Sequence, residues 1–209
     1  MEKIVLIGNG GHSKVIQDLI LVGNHFQLFA ILDDQFKEIT SNGIIYAPVS
    51  YITSLAKSYE FKLVIAIGNN TTRKKLVSEL EIPHKQYATL IHPTAIISSS
   101  VKLGQGTVVM PNVVINADTV IGNHVIINSS SVIEHDNSIN DFAHIGPNAT
   151  LTGSVTVGEG TQIGAAASVI PNAKIGSWCT IGAGSTVINH IPSYSKAVGG
   201  PAKVIEKVR

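Results

Sequence analysis

Cysteine is almost missing: Cys179 is the only one in 209 residues. A lone thiol closes no intramolecular disulfide, so the disulfide-stapled secreted classes are excluded. Charge is scarce too. Charged residues make up 14% of the chain, and 15 Lys+Arg against 14 Asp+Glu give a formal net charge of +1. That balance leaves no basic footprint for nucleic acid and no acidic tail. No apolar run approaches the length of a membrane span. Met1-Glu2-Lys3 is followed by four apolar residues, Ile4 to Ile7, too few for a signal-peptide core. The expectation is a soluble, cytoplasmic protein with no nucleic-acid or membrane partner. With 44% hydrophobic residues it is not disordered and has material for a sizeable core.

Aromatic residues and arginine are also unevenly withheld. Eight of the eleven aromatics lie in the first 87 positions, and no arginine occurs between Arg73 and Arg209. From Ile91 to Ile191 the only lysines are Lys102 and Lys174. Residues 1–88 and 89–209 are therefore expected to be two domains with differently built cores.

The first domain alternates strand-like and helix-like segments. Residues 3–8 form an apolar run, and Val15, Ile16, Leu19, Ile20 and Val22 lie in a helical pattern that stops at Gly23. A strand from about Leu28 to Leu32 ends at Asp33-Asp34, a short strand covers Ile44 to Tyr46, and a helix runs from about Ser50 to Ser58. A strand from Leu63 to Ile67 ends at Gly68-Asn69, and a helix follows over about Thr72 to Leu80. This predicts a small Rossmann-like parallel sheet with its binding crevice at the carboxyl ends of the strands. The loop Gly8-Asn9-Gly10-Gly11-His12-Ser13 follows a strand and opens a helix, as a phosphate-binding loop does. Ser13 stands where a dinucleotide fingerprint has its third glycine, so the loop reads as phosphate-binding rather than NAD-binding; glycines serving only a tight turn are the bland alternative.

The second domain is a repeat. Every sixth residue from Ile91 to Val187, seventeen positions in all, is Ile, Leu or Val, with no insertion. A period of six fits a β-solenoid with three flat faces, eighteen residues per lap and one buried aliphatic per face. The residue four places after each aliphatic is mostly small or β-branched and should point inward, which makes Cys179 a poor nucleophile candidate. His135, two places after Ile133, falls at an exposed corner with Asp136 beside it, able to orient and raise the basicity of the imidazole. Gly153 is eighteen residues further on, so its N–H should lie about 4.8 Å away at the same corner, as an oxyanion donor. His144, half a lap on, should point from the opposite face, so the two imidazoles meet only if another subunit brings them together. His124, His190, His25 and His84 are expected at the surface, with His92 structural or near a substrate. No histidine pairing has metal-ligand spacing, so no metal is expected.

The hexads Ile145-Gly-Pro-Asn-Ala-Thr and Ile181-Gly-Ala-Gly-Ser-Thr resemble those of the left-handed parallel β-helix acyltransferases. Gly8-Asn-Gly-Gly-His-Ser-Lys-Val15, Ile133-Glu-His-Asp136 and Val198-Gly-Gly-Pro-Ala-Lys203 are similar to segments of the NeuD/PglD-type sugar acetyltransferases, over essentially the whole chain. The resemblance implies a homotrimer with active sites between protomers, transferring acetyl from acetyl-CoA to the 4-amino group of a UDP-linked amino-sugar in bacterial glycan synthesis. It gives His135 the base role, Asp136 its carboxylate partner and Gly153 the oxyanion contact. It places Asn128, His144, Gly153, Ala165, Ala183 and Lys203 on acetyl-CoA, and Gly10, Gly11, His12, Asp33, Asp34, Gly68 and Asn69 on the nucleotide sugar. Sugar O-acetylation and a non-enzymatic nucleotide-sugar-binding scaffold remain the alternatives.

Overall fold

The computed structural model describes residues 1–207 and separates into two units, Met1–Leu90 and Ile91–Arg209. The first unit contains β1 (Glu2–Ile7), α1 (Gly11–Gly23), β2 (Phe26–Leu32), β3 (Thr40–Ser41), β4 (Ile45–Ala47), α2 (Ile52–Ser58), β5 (Lys62–Ile65) and α3 (Asn70–Leu80). The sheet order is β3-β4-β2-β1-β5, with β4, β2, β1 and β5 parallel and only β3 antiparallel. β1 has a strand on each side, so Ile4, Val5, Leu6 and Ile7 are all fully buried. α1 departs from the expected apolar face. It buries Ser13, Ile16, Leu19 and Ile20, whereas Val15 and Val22 are exposed. At 100° per residue those two valines lie on the side opposite Ser13, and the small hydroxyl is what the helix turns inward.

The second unit is a parallel β-helix. Two-residue strands stack into three sheets of six, five and six strands, the last extended to eight by two longer C-terminal strands. Each residue pairs with the one eighteen places on: Val114 with Val132, Ile115 with Ile133, Ile127 with Ile145, Ile139 with Val157. The hexad aliphatics from Val109 to Val187 are buried, while Ile91 is 45% exposed in the first lap, which has a neighbouring coil on one side only. The positions four further on are buried as well, including Cys179 and Thr161.

The turns between faces share a feature that the aliphatic count does not reveal. Three residues after each aliphatic from Leu103 to Ile181 the backbone is left-handed, with φ of 58° at Asn112, 59° at Asp136, 59° at Phe142, 55° at Ala166 and 55° at Trp178. An L-residue there costs about 1 kcal/mol, which Asn and Asp bear best. The ladder therefore imposes the turn, whatever residue occupies it.

The last lap ends in an antiparallel hairpin, Ser195–Val198 with Lys203–Lys207, whose first strand stacks on Thr180–Ile181. No helix among the described residues is long and apolar enough to cross a membrane.

Stability should follow the stack. Ile163→Ala, in a mid-helix lap, should cost about 2–5 kcal/mol, and Ile91→Ala should cost less than about 1 kcal/mol. Urea unfolding of the two variants checks the difference; equal losses would contradict it.

Candidate functional site

The carboxyl ends of β1, β2 and β5 build a crevice from backbone amides. Gly8 is needed for its own geometry: its φ is 108°, and a methyl there would meet Ile67 Cγ1 at 2.8 Å. Gly10 and Gly11 are different. Gly10 is extended (φ −84°, ψ −169°), and a methyl on either residue would meet nothing within 4 Å. Neither packing nor dihedral demands glycine at these two positions, so their bareness leaves the start of α1 open to a close-approaching ligand. Asp33 is committed to the crevice floor, its carboxylate accepting from the Asn9 amide (2.8 Å) and the Gln35 amide (2.9 Å). Asp34 accepts from the Val49 amide at 3.0 Å. Asn69 caps α3, its side chain accepting from Thr72 N at 2.8 Å, and Gly68 offers its carbonyl to Arg73 at 3.2 Å.

Arg73 and His12 complete this corner of the first unit. The Arg73 guanidinium is 2% exposed and donates to Ile67 O, Gly68 O and Asn70 Oδ1. Burial lowers its pKa to about 10, so it stays charged at neutral pH. Burial and the Arg73 charge push His12 down to about 4, and its Nε2 is buried without a hydrogen-bond partner among the described residues. His12 is thus a neutral imidazole beside a buried cation. Reading the sequence missed Arg73, whose signal was its rarity: it is the only arginine before residue 209.

In the β-helix, His135, Asp136 and Gly153 meet at one corner. Asp136 reaches the histidine, with Oδ2 2.7 Å from Nδ1. A carboxylate only accepts, so Nδ1 carries the hydrogen and Nε2 is left free to take a proton. The hydrogen bond to Asp136 raises the His135 pKa, and the charges of Asp136 and Glu134 add to it. The imidazole lies across Gly153: a methyl on that glycine would meet His135 Cε1 at 2.7 Å and Nε2 at 2.8 Å. Glycine is required there for room.

That N–H sits at a hexad position outside the ladder. At some equivalent positions it is capped by a side chain one lap on, as Gln105 N by Asn123 and Asn123 N by Asp141, or is removed by proline, as at Pro111, Pro147 and Pro171. The residue one lap beyond Gly153 is Pro171, which has no capping group.

Asn128, His144, Ala165 and Ala183 gather around a different corner. Asn128 Oδ1 accepts from Ser129 N at 2.8 Å, which leaves Nδ2 facing His144 Nε2 at 3.1 Å as the donor. Gly146, Gly164 and Gly182 stack directly beyond Asn128, and exposed Ala165 and Ala183 lie beside them, so this edge carries almost no side-chain bulk. The terminal hairpin returns to the same edge, where Ala202 N donates to Thr186 O and Gly199 N to Ser185 Oγ; Lys203 follows, exposed. One chain therefore does not unite the two sets: the base corner and the small-residue corner are separate edges of the prism, and Gly153 belongs to the first.

His124 overturns its expected surface position. It is 1% exposed, stacked on Phe142 with ring centroids 5.2 Å apart, and lies over Gly106, where a methyl would meet its Nδ1. Gly106, His124, Phe142, Gly160 and Trp178 are one column at eighteen-residue spacing, in which Gly106 leaves room for His124 and Gly160 for Trp178. His25, His84 and His190 are exposed, and His92 is half-buried with Nδ1 2.8 Å from Thr94 Oγ1. Among the described residues no group of three or more His, Cys, Asp or Glu is placed to hold a metal ion.

Comparison with known proteins matches residues 3–80 to the PglD N-terminal domain and residues 100–135 and 154–189 to the bacterial transferase hexapeptide (six repeats). A UDP-N-acetylbacillosamine N-acetyltransferase of Bacillus subtilis is 44% identical over 110 residues, 52% of this chain and 51% of that protein; the match spans only about half its length. The structure of PerB from Caulobacter crescentus, in complex with CoA and GDP-perosamine, is 34% identical and covers 99% of this chain and 98% of its own, with a TM-score of 0.89. The acetyltransferase domain of PglB from Neisseria gonorrhoeae, in complex with acetyl coenzyme A, is 32% identical over 98% of this chain and 99% of its own, with a TM-score of 0.86.

Because His12 titrates near 4 when folded and near 6.5 when unfolded, the unfolded chain binds more protons between those values. Its contribution to stability is present above about 6.5 and is lost as pH falls toward about 4. His12→Gln should flatten that part of the stability–pH curve, measured by urea unfolding; an unchanged slope would place the imidazole in water.

Proposed function

The chain belongs to the PglD/PerB-like hexapeptide-repeat sugar N-acetyltransferases, and from that membership we propose that it transfers acetyl from acetyl-CoA to the amino group of a nucleotide-linked amino sugar. The observation that carries this reading is the His135 imidazole, held by Asp136 and lying across Gly153. His135 Nε2 takes the proton of the attacking amine, and the Gly153 N–H receives the charge that develops on the thioester oxygen. The donor set also suits the co-substrate. The edge formed by Gly146, Gly164, Ala165 and Ala183 lets a slender pantetheine chain lie against backbone, His144 and Asn128 border it, and Lys203 offers a cation for a CoA phosphate. No covalent acyl-enzyme is called for, and Cys179, buried within the prism, takes no part.

In the first unit, the open amides at Gly10 and Gly11 hold the diphosphate, with His12 beside them. Asp33, Asp34, Gly68 and Asn69 line the part of the crevice where the nucleoside lies. We read the acceptor as a UDP-linked 2-acetamido-4-amino-trideoxy sugar and the setting as cytoplasmic synthesis of a bacterial glycan or exopolysaccharide. The assembly is a homotrimer. Base corner and CoA corner are different edges of one prism, so a complete site takes His135 from one protomer and the small-residue edge from its neighbour.

Acetyl transfer assayed with a UDP-linked 4-amino sugar, its GDP-linked counterpart and free sialic acid should favour the first, and His135→Ala should lower kcat at least about a hundredfold. Turnover of sialic acid alone would replace this reading with O-acetylation, and an unaffected His135→Ala would remove the base. Mixing inactive His135→Ala with inactive Ala183→Trp and re-forming the oligomer at equal ratio should restore about a quarter of wild-type activity, the statistical share of sites built from two intact edges. No recovery would confine each site to a single chain.

A further inference from the structure

The corner that carries His135 differs from the others in one inward-facing side chain. Val113, Val125, Ala143, Ala149, Val155 and Ala167 fill the equivalent buried position elsewhere in the prism. Here it is Asn137, 1% exposed. Where threonine occupies the position, its hydroxyl donates to the carbonyl fifteen residues on, as Thr119 Oγ1 does to Glu134 O (2.9 Å) and Thr161 Oγ1 to Gly176 O (2.6 Å). Asn137 does this and more. Its Nδ2 donates to Thr152 O at 3.0 Å, to Glu134 O at 2.6 Å and to His135 O at 3.3 Å. Carbonyl oxygens on every side identify that atom as the amide nitrogen. The Oδ1 atom is buried with no hydrogen-bond partner among the described residues. An amide that leaves its own oxygen unsatisfied in the interior is kept for what its NH2 group does.

We infer that Asn137 is a positioning residue that holds the peptide between Thr152 and Gly153 with its N–H turned outward, to the side where His135 stands. The inference rests on the role proposed above for that N–H. A trans peptide points its C=O and N–H in opposite directions, so a Thr152 carbonyl bound inside the prism leaves the Gly153 N–H facing out. The bond to Glu134 O fixes the peptide that leads into His135. One buried side chain thus ties together the two peptides, a lap apart, that present the base and the oxyanion donor. Preorganised donors act by being aimed before the charge appears, and a donor free to swing loses much of that benefit.

The test compares side chains that the prism already accepts at this position. Asn137→Val should fold, since Val155 fills the same corner one lap on. It should lose kcat about ten- to a hundredfold, the partial loss of an oxyanion donor. KM for acetyl-CoA and for the UDP-linked 4-amino sugar should stay within about twofold, and the acid limb of the pH–kcat profile should not move, because the His135–Asp136 pair is intact. Asn137→Thr restores a donor toward Thr152 O, as Thr119 supplies one to Glu134 O, and should return kcat to within about threefold of wild type. A valine variant as active as wild type, or a threonine variant no better than valine, overturns the inference. If the valine variant melts below the assay temperature, Asn137→Ala against Asn137→Ser makes the same comparison, both residues being native to this series. His135→Ala run in parallel separates the two layers: full activity there overturns the base assignment and this inference with it, whereas an inactive His135→Ala beside a fully active Asn137→Val overturns this inference alone.

Discussion

Everything in the second unit depends on a backbone ladder that joins each residue to the one eighteen places later. Each bond in it is ordinary. Repeated without a slip, the ladder fixes the address of every side chain, inside or outside, face or corner. It holds even where local preference objects, since Phe142, Ala166 and Trp178 are all forced into left-handed turns. The geometry of the proposed base and oxyanion donor comes from the same register: His135 and Gly153 meet because they differ by one lap, and any one-residue slip would send one of them to another side of the prism.

In the proposed reading the first unit has a different problem to solve, holding an anion without solvent-exposed charge. The start of α1 supplies amides and two bare glycines, and the loop after β5 is braced from beneath by the buried guanidinium of Arg73. His12 is kept neutral by the same burial and the same cation. A ligand carrying negative charge would meet backbone dipoles first, with the buried cation behind them. This is consistent with the near-neutral composition of the chain, because no cluster of surface lysines is needed.

The β-helix was legible to the residue, since a strict six-residue count leaves no freedom in register. The corner position of His135 and its neighbour one lap on followed from that count. What the count could not carry were side-chain relations. Whether Asp136 reaches Nδ1 depends on the turn dihedral. The burial of His124 depends on Phe142 and Gly106, its neighbours one lap away on either side, which become visible only when the sequence is written in rows of eighteen. Asn137 was invisible for the opposite reason: it falls in a series of small inward residues, and only its hydrogen bonds set it apart. In the first unit the alternation of strands and helices was plain, but α1 was assigned too broad an apolar face, because Val15 and Val22 were counted by hydrophobicity rather than by angle. The catalytic and ligand-contacting roles came from family likeness together with geometry; composition could not supply them.

The constant spacing of the ladder also bears on how the chain reaches this shape. A strand pair eighteen residues apart closes a short loop at modest entropic cost, and no contact within the stack has to wait for a distant segment. Each lap can dock on its predecessor as it leaves the ribosome, so growth of the prism can keep pace with translation. For a protein whose interior is almost wholly aliphatic, such stepwise closure limits how long sticky, half-made edges remain available to other nascent chains.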